Sequence, residues 1–234
     1  MGRKTCSPRK LAPTHRPTHD DNPRPNLTVL RLSANSVPYL EGLDLQRATH
    51  AAVVAGLAPG TVIVLGLPLV YTTGKRTETT ERPTNGTPVI DARRRGQITW
   101  HGPGQLVGYL ILRLPDPIDV VRYVRRLEDI IIGDLAELGE DGRHVEGRSG
   151  VWMSRNDYDE KVAAIGIRVA AGVTLLGFSI NSSNSFEAHE HIVTCGIRDA
   201  DVTSIRQFLS RRVDRADMIP LPPDGFIDTF RRAA

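Results

Sequence analysis

The stretch from Pro38 to Ala55, rich in leucine, alanine and valine and bounded by start and stop signals, predicts a first helix. Ser36 is placed to cap it, Pro38 suits its first turn and Gly56 stops it. The β-branched runs at 61–65 ("TVIVL") and 87–90 ("TPVI") predict strands. Two more strand-like pieces, Gln97–Trp100 and Leu106–Leu112, flank a Gly-Pro-Gly turn. A second helix is expected from Pro117 to Leu138, with Asp116 as its cap and Gly139 as its stop. Val120, Val121, Val124, Leu127, Ile130, Ile131, Leu135 and Leu138 would form its apolar face, and Arg122, Arg125 and Arg126 a solvated one. After the loop "GEDGRHVEGRSG" come strands at "GVWM", 161–169 and 173–181, then helical pieces around Ser204–Arg211 and Pro223–Arg232. Strands in two batches around a long helix, without βαβ alternation, predict an α+β fold. Its sheet should be mixed and largely antiparallel, with flanking helices.

Residues 1–26 break this pattern. They are rich in proline, threonine and charge and nearly free of apolar residues, so they are expected to form a disordered tail before one domain over 27–234. No apolar run approaches the roughly 20 residues of a membrane span, and the first charged residues lead into no hydrophobic segment. The two cysteines, Cys6 and Cys195, lie far apart and do not suggest a disulfide framework, so a cytoplasmic setting is expected. A net charge of +3 is weak ground for nucleic-acid binding, though it would suit an acidic protein partner. Of 30 basic residues only four are lysines: Lys4, Lys10, Lys75 and Lys161. That scarcity draws notice to each, because lysine is the basic side chain whose proton affinity a protein can adjust.

Three stretches could carry chemistry. "RRRGQITWHGPGQ" sets three arginines before a strand and then His101 between glycines, where backbone can approach a ligand closely. A plain hairpin turn with an exposed histidine explains the same pattern equally well, and no lysine follows as in a phosphate-binding loop. Lys161 opens the apolar strand "KVAAIGIRV", and strict alternation would put it on the face of Ala163, Ile165 and Ile167. In "HEHIVTCG", Cys195 could be a buried inert thiol, a metal ligand with His189 and His191, or a nucleophile. A metal site lacks an evident fourth ligand, and pattern alone leaves the inert thiol ahead.

Taken in order, "RRGQITWHGPGQLVGY", "KVAAIG", "GFSIN" and "IVTCGI" resemble the lipoyl(octanoyl) transferase family, also called lipoate biosynthesis protein B. The likeness runs from about Val37 to Ile205 and includes "LDLQRATHAAVVAG" and "VYTTGKRTE". It implies the fold of lipoate and biotin protein ligase catalytic domains. The implied reaction carries an octanoyl group from octanoyl-acyl carrier protein to a lysine of a lipoyl domain, the first step of endogenous protein lipoylation. The implied acceptors are the lipoyl domains of 2-oxoacid dehydrogenases and the glycine cleavage H protein. No cofactor, metal or membrane is implied.

By the same resemblance Cys195 matches the acyl-thioester nucleophile and Lys161 the residue that activates it. Arg94, Arg95, Gly96, Gln97, Ile98, Thr99, Trp100 and His101 match the substrate-binding strand and turn. Ala164, Ile165 and Gly166, with Gly177, Phe178 and Ser179, match two further stretches lining the acyl site. The chain departs from the family pattern at Arg95 (usually glycine), Gly66 and Leu67 (usually Glu-His), Leu69, Leu176 (usually histidine) and Thr194 (usually proline). Two other readings stand beside the transferase: an ATP-dependent lipoate ligase, and a non-catalytic relative that binds acyl chains or carrier proteins. A ligase works through an acyl-adenylate and needs no nucleophilic cysteine, so the Cys195 and Lys161 pair favours transfer.

Overall fold

The computed structural model of the chain describes residues 27–32, 37–74, 76–78, 82–83, 86–94, 98–155, 158–187 and 201–212. Alternation along its central strands sends side chains into two separate cores. In β2 (Gly60–Leu65), Val62 and Val64 enter one core, while Ile63 and Leu65 enter the other. In β6 (Gln105–Ile111), Leu110 joins the first, and Val107, Tyr109 and Ile111 join the second. A sheet apolar on both faces must be covered on both. Helix α1 (Tyr39–Val54) covers one face, contributing Tyr39 and Val53. Helices α2 (Val120–Glu137) and α3 (Ile205–Arg212) cover the other, through Leu127, Ile131, Leu135, Ile205 and Phe208.

The central sheet has eight strands. β1 (Leu27–Arg31) pairs parallel to β2, and β2 antiparallel to β6. β10 (Val173–Asn181) follows, then β9 (Tyr158–Ala170), β8 (Arg148–Arg155) and β7 (Gly142–Val145), all antiparallel to their neighbours. The short β11 (Asp201–Val202) runs parallel beside β9. A second sheet, in the order β4-β3-β5, joins β3 (Val70–Gly74), β4 (Val89–Arg94) and β5 (Thr99–His101). It meets the α1 side of the large sheet through Val70, Ile90 and Ala92. The fold is the expected mixed, mainly antiparallel α+β arrangement.

Several local expectations need correction. The pieces on either side of the Gly-Pro-Gly turn are no hairpin: β5 pairs with β3 and β6 with β2 and β10, so the turn passes from one sheet to the other. α2 starts at Val120 because the Asp119 carboxylate accepts the Arg122 backbone N–H at 2.9 Å. Asp116, the expected cap, instead precedes a cis bond to Pro117. Val121 is 73% exposed, so the buried stripe of α2 is narrower than its apolar spacing suggests. "VYTTG" forms the fully buried β3, and "GEDGRHVEGRSG" contains β7, which forms a hairpin with β8. α1 begins at Tyr39, and Pro38 is its cap residue without a side-chain hydrogen bond. Ser36, residues 1–26 and the Pro223–Arg232 piece lie outside the described residues.

Strands β6 and β10 approach so closely that a Cβ at Gly177 would overlap the carbonyl oxygen of Gly108. Gly177→Ala should therefore cost about 2 kcal/mol or more in urea unfolding. Gly133, exposed in mid-α2, has open space where a methyl group would stand, with nothing within 4 Å, and Gly133→Ala should add about 0.5–1 kcal/mol. Equal midpoints for the two variants would show that the strands can part at no cost.

Candidate active site

One irregularity in β9 positions its lysine. Across the β8–β9 ladder Val151 pairs with Ala163, but Trp152 pairs with Lys161, so Val162 is an extra residue. Val151 and Ala163 point into the α2 core, and Trp152 therefore points to the opposite face, with Lys161 beside it. Strict alternation would put Lys161 with Ala163 and Ile165; the bulge moves it to the face of Ala164, which pairs with Ser179 of β10. Lys161 is buried, with its Nζ 4.8 Å from the centre of the Trp152 ring. An ammonium over an indole face is held by the ring quadrupole and loses less on leaving water. The Lys161 carbonyl oxygen accepts from Thr203 N–H at 2.9 Å, which fixes β11 and the start of α3 alongside.

Gly150 makes room for this arrangement. Its φ of 111° is a glycine conformation, and a Cβ there would lie 2.9 Å from Lys161 Cε and 2.5 Å from the Ala163 oxygen. Further along the same face, Gly166 is exposed and a Cβ on it would meet nothing within 4 Å. A lysine at one end and an open glycine at the other bound a strip of small residues.

The His-Gly-Pro-Gly turn is built into the fold, with Pro103 exposed, Gly102 buried and His101 and Gly104 half-buried. Gly104, with φ 87°, lies so close to Asn184 that a Cβ would sit 2.5 Å from the Asn184 nitrogen. The Gly104 oxygen accepts from Ser182 N–H and Ser183 N–H at 3.1 and 3.0 Å. Beside it, Gln105 Nε2 donates to Asn181 Oδ1 at 2.9 Å, which leaves Gln105 Oε1 to accept from His101 Nδ1 at 3.1 Å. This chain places the neutral imidazole proton on Nδ1. Trp100 lies over Gly102, where a Cβ would overlap its ring.

Of the residues matched to substrate binding, Ile98 and Trp100 are buried in the core of the small sheet, and Thr99 and His101 are half-buried on β5. Arg94 ends β4, and Arg95, Gly96 and Gln97 lie outside the described residues. Ile165 and Phe178 pack into or against the α2 core, so any contribution they make to the strip comes through backbone. Cys195, His189 and His191 lie outside the described residues. Sequence reasoning passed over Gly150 and Trp152, treated only as part of a strand, and Gln105 and Asn181, whose pairing spans 76 positions. Behind the strip, Tyr109 is held neutral: burial, and then the neighbouring Tyr39, push its phenol well above the ordinary value.

The mixed sheet thus carries a lysine and a glycine-lined strip on the face opposite α2, the side on which the second, small sheet packs. The lipoyl protein ligase A/B catalytic domain family matches residues 38–226, and the chain belongs to that family. An octanoyltransferase from Clavibacter sepedonicus is 59% identical over 201 residues, covering 84% of this chain and 87% of that protein. An octanoyltransferase from Leifsonia xyli subsp. xyli is 55% identical over 205 residues, covering 87% and 92%. Among solved structures, a bi-partite lipoate protein ligase from Thermoplasma acidophilum aligns with a TM-score of 0.58 at 13% identity, covering 88% of this chain and 81% of that one. That likeness is one of fold.

Gln105→Leu would leave the Asn181 oxygen buried without its donor and should cost about 1–3 kcal/mol in urea unfolding. The double variant Gln105→Leu/Asn181→Leu should recover part of that loss. Strict additivity of the two would show that the hydrogen bond contributes nothing.

Proposed function

We propose that this chain is an octanoyltransferase of protein lipoylation, acting through a thioester on Cys195. The observation that carries the reading is Lys161, buried on the face of Trp152 and turned by the bulge onto the strip of Ala164 and Gly166. Val202, the ladder partner of Lys161, follows Cys195 by seven residues, which span at most about 25 Å fully extended. That tether is compatible with a thiol beside the amine. A cation near a thiol favours the thiolate, the nucleophilic form.

In the first step Cys195 Sγ, as the thiolate, attacks the thioester carbonyl of octanoyl-acyl carrier protein, and the carrier sulfur leaves as a thiol with a proton from the Lys161 ammonium. One thioester replaces another, so no ATP is required. In the second step the amine of a lipoyl-domain lysine attacks the Cys195 thioester, an amide forms and the thiolate departs. The proton lost by the attacking amine passes to Lys161, which acts as acid and base in turn. Arg94, Arg95, Gly96, Gln97 and the β5 segment to His101 hold the donor, and the strip at Ala164, Gly166, Gly177 and Ser179 receives the acyl chain. Each buried methylene adds about 0.8 kcal/mol to binding. The catalytic domain spans 27–234, and its setting is the cytoplasm, where carrier and lipoyl domains are both at hand. No helix among the described residues is long and apolar enough to cross a membrane.

Mixing the full-length protein with octanoyl-acyl carrier protein should raise its intact mass by one octanoyl group, removable with hydroxylamine. Cys195→Ala should show no gain; a gain in that variant, or none in the parent, would overturn the thioester. Lys161→Met should slow single-turnover acylation on the order of 10²–10⁴-fold. Parent-like rates would remove the lysine from the mechanism.

A further inference from the structure

The side of the sheet away from the strip carries a polar cluster that the reaction itself does not use. Glu128, on α2, has a fully buried side chain. Its Oε2 takes Arg125 Nη1 at 2.6 Å and His144 Nδ1 at 2.9 Å. His144 Nε2 turns to Asp129 Oδ1 at 2.8 Å, and Arg125 Nη1 is 3.4 Å from His144 Nδ1. The imidazole thus meets the two carboxylates through opposite nitrogens, which leaves no common point for a cation. Among the described residues no group of three or more such side chains could hold a metal ion.

The remaining oxygen of Glu128 shows what the cluster is set to do. Oε1 accepts the backbone N–H of Gly150 at 2.7 Å. Gly150 lies in β8 next to Val151, where the ladder register shifts. Its peptide is turned out of ordinary strand geometry, at φ 111°, and its N–H is aimed through the sheet at α2. Its other side lies under the Lys161 stem, with a Cβ position 2.9 Å from Cε and 3.5 Å from Nζ. One residue therefore touches both the buried carboxylate and the lysine. Among the described contacts the Gly150 N–H is the donor to Oε1, and a buried carboxylate oxygen left without one is costly, so Glu128 favours this peptide orientation.

We propose that Glu128 is a positioning residue for acyl transfer: it fixes the Gly150 peptide, and through it the course of Lys161 across Trp152. The proposal rests on the reading that Lys161 activates Cys195. Arg125, Asp129 and His144 keep the carboxylate in place, and Gly150 transmits its position across the sheet. Glu128 touches neither Lys161 nor the strip. It acts by placement.

The test follows iodoacetamide alkylation of Cys195 against pH in the full-length protein, read at the Cys195 peptide so that Cys6 does not contribute. Steady-state octanoyl transfer is measured in parallel. Glu128→Ala should move the alkylation midpoint up toward the ordinary thiol value of about 8.5. It should lower kcat on the order of 10–100-fold with little change in KM for the donor. Glu128→Gln keeps an oxygen opposite the Gly150 N–H and should restore most of both. A folded Glu128→Ala with the parent midpoint and kcat would overturn the proposal. If Glu128→Ala does not fold, Glu128→Asp replaces it: the shorter side chain should move midpoint and kcat in the same directions, and parent values would again overturn the proposal. Lys161→Met separates the two layers. A midpoint unmoved by Lys161→Met sinks the activating role of the lysine and this proposal with it. A midpoint moved by Lys161→Met but not by the Glu128 variants sinks the Glu128 proposal alone.

Discussion

The extra residue in β9 decides which side of the sheet holds the lysine. Without Val162 out of register, Lys161 would project beside Ala163 into the layer filled by Leu127, Ile131 and Leu135. An ammonium there would be taken from water into a largely apolar layer, at a cost of several kcal/mol. With the bulge, the same backbone gives Val162 to the core and Lys161 to Trp152. The glycine at 150, the small residues at 164 and 166 and the pairing of β11 all accommodate that one change of side.

Much of the fold was legible because it rests on periodicity. β2, β10, α1 and α3 fall within a few residues of their expected bounds, the strands from β-branched and apolar runs and α1 from its start and stop residues. What escaped depends on contacts distant in sequence. β3 was hidden because "VYTTG" is short and partly polar, and it is a strand only because β4 and β5 close on both sides of it. The loop containing β7 carries too many charges to read as a strand, yet Arg143 pairs with Asp159 and His144 with Glu128 and Asp129. Those polar side chains tie the hairpin to β9 and α2.

The candidate site divides along the same line. Its residue types were visible as ordered motifs, since one of few lysines in an arginine-rich chain and a His-Gly-Pro-Gly turn are unusual wherever they occur. Their geometry was not. Alternation gave the wrong face for Lys161, because a bulge leaves no mark in a run such as "KVAAIG". Nor could spacing reveal that Gln105 reaches Asn181, or that Glu128 reaches Gly150 from a helix on the far side.

The turn at Gly102–Gly104 joins the two sheets and is tied to β10 by the Ser182, Ser183 and Asn181 contacts. Its conformation is set when the chain folds, at the expense of folding entropy and not of substrate binding. On the proposed function, a donor settling against β5 would meet a surface already ordered and would keep affinity otherwise lost to immobilising a loop. Discrimination between donors would then be a matter of how well each fits a fixed template, not of how readily the template forms.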